Sequence, residues 1–206
     1  MWNKIQRIYI GDHKQVRPNY WEYNFVGKTI AEIQSDWWIW SLMQYYWIDQ
    51  YWLYWSRASW ILFPCPLDFS SAEKIIINTT GRIGSSGDQN HNLGIAVSAT
   101  WSTTQEFQTT WFYTSYNSYW AFLLLWNKWT AFTSTTISWT NFAYTWEIDF
   151  ANKKISIQYT TGSTKSFNQT LTDAQITTMK TSKYIVAWLS STTTPRISYI
   201  KVTVEY

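Results

Sequence analysis

Tyr144-Thr145-Trp146-Glu147-Ile148-Asp149-Phe150, followed by Ala151-Asn152-Lys153-Lys154 and then Ile155-Ser156-Ile157-Gln158-Tyr159, is the stretch on which the reading of the fold turns. The middle four residues form a polar corner between two β-prone runs. In the second run Ile155, Ile157 and Tyr159 alternate with Ser156 and Gln158, which places one face inward and one outward. The stretch predicts a β-hairpin with strands over 144–150 and 155–159.

Outward from this hairpin the same grammar continues. Near the C-terminus, 184–189 and 196–206 predict two strands. In the last, Ile200, Val202, Val204 and Tyr206 face one way and Lys201, Thr203 and Glu205 the other. Between the hairpin and these strands lies one signposted helix. Thr172 is an N-cap, Gln175 completes a capping box, and Leu171 and Ile176 are spaced as a hydrophobic staple, so a helix ending near Lys180 is expected. Upstream, Lys74 to Asn78 predicts a buried strand and Gly84 to Asn92 a loop. Leu93 to Trp101 predicts a strand with Ile95, Val97 and Ala99 on one side, and 106–116 and 120–126 are further strands. The aromatic segment 20–63 holds Trp37-Trp38-Ile39-Trp40, Tyr45-Tyr46-Trp47 and Tyr51-Trp52-Leu53-Tyr54-Trp55; its alternation favours strands over a helix. No repeat with a period of about 20–50 residues is present. Many strands, one short helix and a terminal strand predict an all-β fold, two antiparallel sheets packed face to face as a jelly-roll sandwich.

Composition agrees. Of 206 residues, 20% are aromatic, with 17 Trp and 15 Tyr, and only 14% are charged; 27 Thr and 21 Ser add hydroxyls. So many aromatics exclude disorder. The Ala/Glu/Lys/Leu/Arg bias of a coiled coil is missing. One cysteine, Cys65, excludes a disulfide scaffold. The net charge of +3 is small and no three cations run together, so nucleic acid is not an expected partner. Met1 to Ile10 lacks the apolar core of a secretory signal. The most apolar stretch, 37–63, is interrupted by Asp49, Gln50 and Arg57, so no membrane span is expected. The expectation is synthesis in the cytoplasm without a visible signal peptide.

The 144–155 segment, with its aromatic-acidic strand turning at an Asn/Lys corner, resembles the hairpin of concanavalin A-like (laminin-G-like) jelly rolls, and Ser198 to Glu205 looks like their closing strand. The resemblance covers residues 67–206 at the level of pattern. Separately, Arg7-Ile8-Tyr9-Ile10-Gly11 with Val16-Arg17-Pro18 is similar to the short N-terminal segments of bacteriophage tail and head-fibre proteins. Together the resemblances imply a virion component: an N-terminal arm over 1–19 that docks through Ile8, Tyr9, Ile10 and Arg17, and a jelly-roll domain over 20–206 that faces outward. They place the protein on a virion or an extracellular surface, as a homo-oligomer beside other virion proteins.

Glu147 and Asp149 lie two apart on a strand and so share a face, as the carboxylates of jelly-roll glucanases do. The third acid is missing, because positions 151 and 152 are Ala and Asn, so no proton donor completes a hydrolase and no catalytic residue is assigned. The simpler reading is a solvent-facing strand near Lys153 and Lys154. His13, His91 and Cys65 lack zinc-site spacing. Asp88, Asn90 and Asn92 alternate in a loop as calcium ligands do, but offer one carboxylate, so no metal or cofactor is expected. The tryptophans remain. Each buried indole N–H needs a partner, which makes Trp costly as filler, so two readings stand: most of the indoles fill a wide sandwich core, or a surplus lies on a face that binds glycan or sister subunits. Trp37, Trp40, Trp47, Trp52 and Trp55 are the candidate ligand contacts, with Gln44, Gln50 and Asn127 as hydrogen-bonding neighbours. The expected function is a non-enzymatic structural or recognition protein that binds a glycan or neighbouring subunits. The alternatives are a self-assembling filament or particle protein, and a glycoside hydrolase or lyase that recruits an acid such as Glu106.

Overall fold

The computed structural model describes residues 9–10, 14–15, 19–36, 38–39, 46–48, 53–55, 59–64, 67–82, 92–98, 112–116, 120–125, 128–134, 141–160, 164–190 and 196–206. A small ribbon pairs β1 (Tyr9–Ile10) with β2 (Lys14–Gln15). Then come β3 (Tyr20–Asn24), α1 (Ile30–Asp36), β4 (Trp38–Ile39), β5 (Tyr46–Ile48), β6 (Leu53–Trp55) and β7 (Ser59–Pro64). The next strands are β8 (Lys74–Arg82), β9 (Asn92–Ser98), β10 (Phe112–Tyr116), β11 (Trp120–Leu125) and β12 (Lys128–Ser134). The chain closes with β13 (Asn141–Asp149), β14 (Lys154–Thr160), β15 (Thr164–Thr170), α2 (Asp173–Lys180), β16 (Tyr184–Ser190) and β17 (Arg196–Glu205).

An eight-stranded sheet runs β15-β14-β13-β8-β17-β6-β5, with β3 also paired to β17. A four-stranded sheet runs β4-β7-β16-β9. Strands β10, β11 and β12 form a third sheet, and β10 lies close to β9. Every described pairing is antiparallel. The fold is the all-β sandwich that the alternation predicts.

The core follows from register. Trp146 of β13 stands opposite Ile77 of β8, Ile77 opposite Val202 of β17, and Val202 opposite Trp21 of β3. All four are buried. The next row is Ile155, Ile148, Ile75 and Val204, buried likewise. Between them stand the half-buried Glu22, Ile76, Asn78, Glu147, Lys201 and Thr203. Burying each large apolar side chain contributes about 1.5–3 kcal/mol, so a one-residue slip that turned these rows outward is strongly disfavoured. Tyr206 continues the β17 alternation only in sequence; it is 43% exposed at the chain end.

The 144–159 hairpin forms as predicted. Asp149 accepts hydrogen bonds from the Asn152 backbone N–H (2.9 Å) and Nδ2 (2.8 Å), and Lys153 takes the left-handed position with φ 50°. Helix α2 starts where the capping box placed it. Thr172 Oγ1 accepts from Gln175 N, and Gln175 Oε1 accepts from Thr172 N. Leu171 and Met179 are buried beneath it.

The expectation of strands throughout 20–63 is corrected at α1. Thr29 N donates to Glu32 Oε2 at 2.7 Å and Glu32 N donates to Thr29 Oγ1 at 3.2 Å, a second capping box. The Thr29 backbone N–H, and then its hydroxyl, both donating to Glu32 Oε2, hold the exposed Glu32 carboxyl below its ordinary range. The helix buries Ile33 and ends at Asp36, whose Oδ2 accepts both from Tyr23 Oη and from Lys28 Nζ at 2.9 Å. Lys28 Nζ also sits 4.6 Å from the Tyr23 ring centroid, so α1 is tied to the inner aromatic run of β3. Among the described residues no helix is long and apolar enough to cross a membrane.

Candidate functional site

The four-stranded sheet presents two unlike faces. Ile185 of β16 is fully buried, and its register partners are Phe63 and Val97. Alternation adds Ile39, Ile61, Ala187 and Ile95 to this inner face. The opposite face carries a row in which Trp188 stands between Trp60 of β7 and Gly94 of β9. The next row on that face is Trp38, Leu62, Val186 and Ala96, and the one beyond is Pro64, the half-buried Tyr184 and Ser98. Aromatic and apolar positions on β4, β7 and β16 thus adjoin a strip of small residues, Gly94, Ala96 and Ser98, on β9.

Only some of the sequence candidates fall within the described residues. Trp37, Trp40 and Trp52 lie outside them, as do Gln44, Gln50 and Asn127. Trp47 is in β5 opposite Tyr54, and Trp55 is in β6 opposite Tyr46. They are not register partners of one another. The row of Trp60 and Trp188 was missed. Trp60 closes the aromatic segment, and Trp188 sits in a run, Tyr184 to Leu189, that is apolar throughout and was read only as a strand. In the arm, Tyr9 pairs with Gln15 and Ile10 with Lys14, while Ile8 and Arg17 lie outside the described residues. Asp88 and Asn90 lie outside as well, and Asn92 begins β9 opposite Ser190. Among the described residues no three His, Cys, Asp or Glu side chains gather as a metal site.

Glu147 and Asp149 do share the outer face of β13, but their partners are structural. Lys74 Nζ lies 3.1 Å from Glu147 Oε1 and 3.7 Å from Glu205 Oε2, tying three adjacent strands. The Glu147 contact raises the Lys74 ammonium above its ordinary value. Asp149 is held below the usual carboxylate range, first by the Asn152 side chain and then by its backbone N–H. A carboxylate so stabilised in its charged form is a poor general acid. The cation nearest Glu147 is therefore Lys74. Lys153 instead pairs with Asp173 at 2.8 Å, and Lys154 stands opposite Asp149 in register.

No family model and no curated protein matches the sequence. Solved structures do match in shape. Peanut lectin superposes with a TM-score of 0.64 at 10% identity, covering 90% of this chain and 97% of its own. Lectin I-B4 of Griffonia simplicifolia, in a metal-free form, gives 0.64 at 9%, covering 91% and 99%. Winged bean acidic lectin, in complex with methyl-α-D-galactose, gives 0.63 at 8%, covering 91% and 100%. At these identities the likeness is one of fold, and the fold is the concanavalin A-like jelly roll of the legume lectins.

Proposed function

We propose that this protein is a non-enzymatic carbohydrate-binding module whose ligand lies on the outer face of the four-stranded sheet, over Trp60 and Trp188. The observation that carries the reading is the register of Trp188 between Trp60 and Gly94 on the face opposite the buried Ile185. On this reading the register pair Trp60 and Trp188 supplies the stacking area, and Gly94, which has no side chain, leaves a sugar ring its edge. The lectin-like fold supports this reading, as do the structural partners that occupy Glu147 and Asp149.

The test is a glycan array with the whole chain, followed by titration of the best neutral saccharide against Trp188→Ala and Trp60→Ala. Loss of a stacked anchor is expected to weaken binding at least about tenfold, or about 1.4 kcal/mol. Affinity unchanged in both variants, or turnover of a glycan that is lost in Glu147→Gln, would overturn the proposal. The finer reading is a phage virion component docked by residues 1–19. It rests on the resemblance of 7–18 to virion arms, and deletion of 1–19 is expected to abolish incorporation into particles while sparing saccharide binding.

A further inference from the structure

On the outer face of the eight-stranded sheet one register row crosses six strands. Ser166 of β15 pairs with Gln158 of β14, Gln158 with Thr145 of β13, Thr145 with Asn78 of β8, Asn78 with Lys201 of β17, and Lys201 with Glu22 of β3. At about 4.8 Å between neighbouring strands the row is roughly 24 Å long. Burial fixes its face. Asn78 stands between the buried Ile77 and Thr79, Lys201 between Ile200 and Val202, Glu22 between Trp21 and Tyr23, and Thr145 beside Trp146. Ser166 and Gln158 are exposed, and the other four are half-buried.

A wet sheet face is polar in any fold, but the kind of polarity here is particular. The row runs hydroxyl, amide, hydroxyl, amide, and ends on one opposed pair of charges, Lys201 and Glu22. The other ions of this face, Glu147, Asp149 and Glu205, gather along the sheet around Lys74. Hydroxyls and amides donate and accept alike, as sugar hydroxyls do. A tyrosine flanks the charged end on each side: Tyr199, opposite Thr80 and Asn24, and Tyr20, opposite Thr203. These groups are held in place. Lys201 Nζ sits 4.9 Å from the Tyr20 ring centroid, the Tyr199 hydroxyl donates to Glu22 Oε2 at 2.8 Å, and Thr145 Oγ1 donates to Asn78 Oδ1 at 2.8 Å. Side chains already fixed lose little freedom when a ligand arrives.

We propose that this row is a second saccharide site, a track for an extended, neutral polysaccharide lying across the strands. The strand spacing is close to the length of one pyranose in an extended chain, so each strand meets one sugar. Gln158, Thr145 and Asn78 bond the hydroxyls, and Tyr20 and Tyr199 bracket the end of the chain. An acidic polymer is the poorer occupant, because the one cation of the row already faces an acid. The site lies on the other sheet from Trp188 and does not depend on the reading given there.

The experiment titrates the full chain with three β-1,4-linked hexasaccharides, cellohexaose, xylohexaose and mannohexaose, and with the matching disaccharides and heparin. At least one hexasaccharide is expected to bind, at least about tenfold more tightly than its disaccharide, because the short ligand reaches only two strands. Asn78→Ala and Tyr20→Ala should each weaken that hexasaccharide at least about tenfold, and Trp188→Ala should leave it within about twofold. Should Asn78→Ala fail to fold, the exposed Gln158→Ala takes its place with the same expectation. Failure of all three hexasaccharides to bind, equal affinity for the disaccharide, or tighter binding of heparin would each overturn the proposal. Loss in Trp188→Ala with none in the Asn78 and Tyr20 variants would overturn it too, while leaving the site on the four-stranded sheet standing. Sedimentation without sugar covers the remaining occupant: a dimer that Tyr20→Ala dissolves would assign this face to a second copy of the chain and overturn the saccharide track.

Discussion

The Tyr199 hydroxyl donates to Glu22 Oε2 at 2.8 Å, across the seam between β17 and β3. Partial burial, then the Glu22 carboxylate, pushes the phenol well above its ordinary value. A raised value means that the contribution is complete below the unfolded phenol's pKa, about 10, and is lost as pH climbs toward the folded one. Tyr199→Phe is expected to cost about 1–2 kcal/mol at neutral pH. Urea titrations of the two proteins should converge above about pH 10; a constant gap across that range would contradict the assignment.

Thr79 is 1% exposed, and its Oγ1 has no hydrogen-bond partner among the described residues. It stands among the inner side chains of β8, where a methyl suits the surroundings better than a hydroxyl. Thr79→Val keeps the shape and is expected to raise stability by about 1 kcal/mol, read as a higher denaturant midpoint with unchanged slope.

Lys153 occupies a left-handed position, φ 50°, at the 149–154 corner. Its ion pair with Asp173 joins side chains that are 52% and 81% exposed, so removing it costs little. The strain of a β-carbon there is about 1 kcal/mol. Lys153→Gly should therefore match or exceed the parent in melting temperature, whereas Lys153→Val, β-branched, should fall clearly below it.

The same corner carries an acid sensitivity. Asp149 is held below the ordinary carboxylate value chiefly by Asn152, so its stabilisation is present above about pH 4 and fades as pH falls through the folded value. Asn152→Ala removes the largest cause. Acid unfolding of that variant should begin at a higher pH than in the parent, and the two curves should meet once Asp149 is protonated in both.

Thr172→Ala removes one half of the α2 capping box, and Thr29→Ala one half of the α1 box. Each is expected to cost about 1 kcal/mol. Amide exchange should rise first at 173–176 in one variant and at 30–33 in the other.

The sandwich was legible wherever one face is wet and the other dry. The 144–159 hairpin, the Thr172 box and the Ile200-Val202-Val204 run each carry their own local signal, and each formed. α1 was obscured by its setting. Trp37 to Trp40 drew the eye to alternation, while the signal that marks the helix, Thr29 with Glu32 three residues on, is identical in kind to the one recognised at Thr172. β15 gave little, because Thr164 to Thr170 holds one large apolar residue, Phe167, and an edge strand of hydroxyls and amides has no dry face to announce itself. The aromatic row on the four-stranded sheet was illegible for the opposite reason. Tyr184 to Leu189 is apolar on both faces, and only the pairing with Trp60 and Gly94 shows which rings share a side.

β17 shifts register between Ile197 and Tyr199, and Ser198 is the extra residue. Its Oγ lies 2.6 Å from Thr80 Oγ1 and its carbonyl accepts from Phe25 N–H, so the insertion is anchored on both flanks. That one serine resets the parity of the strand: odd numbers are sunk before it and even numbers after. Excise it, and Ile197 and Tyr199 become neighbours in ordinary alternation, one inside and one outside, because their partners Gly81 and Thr80 are already adjacent on β8. The surplus residue is thus carried as a kink and not as a slip, and a chain that lost position 198 should keep Ile197 indoors and forfeit only the two anchors.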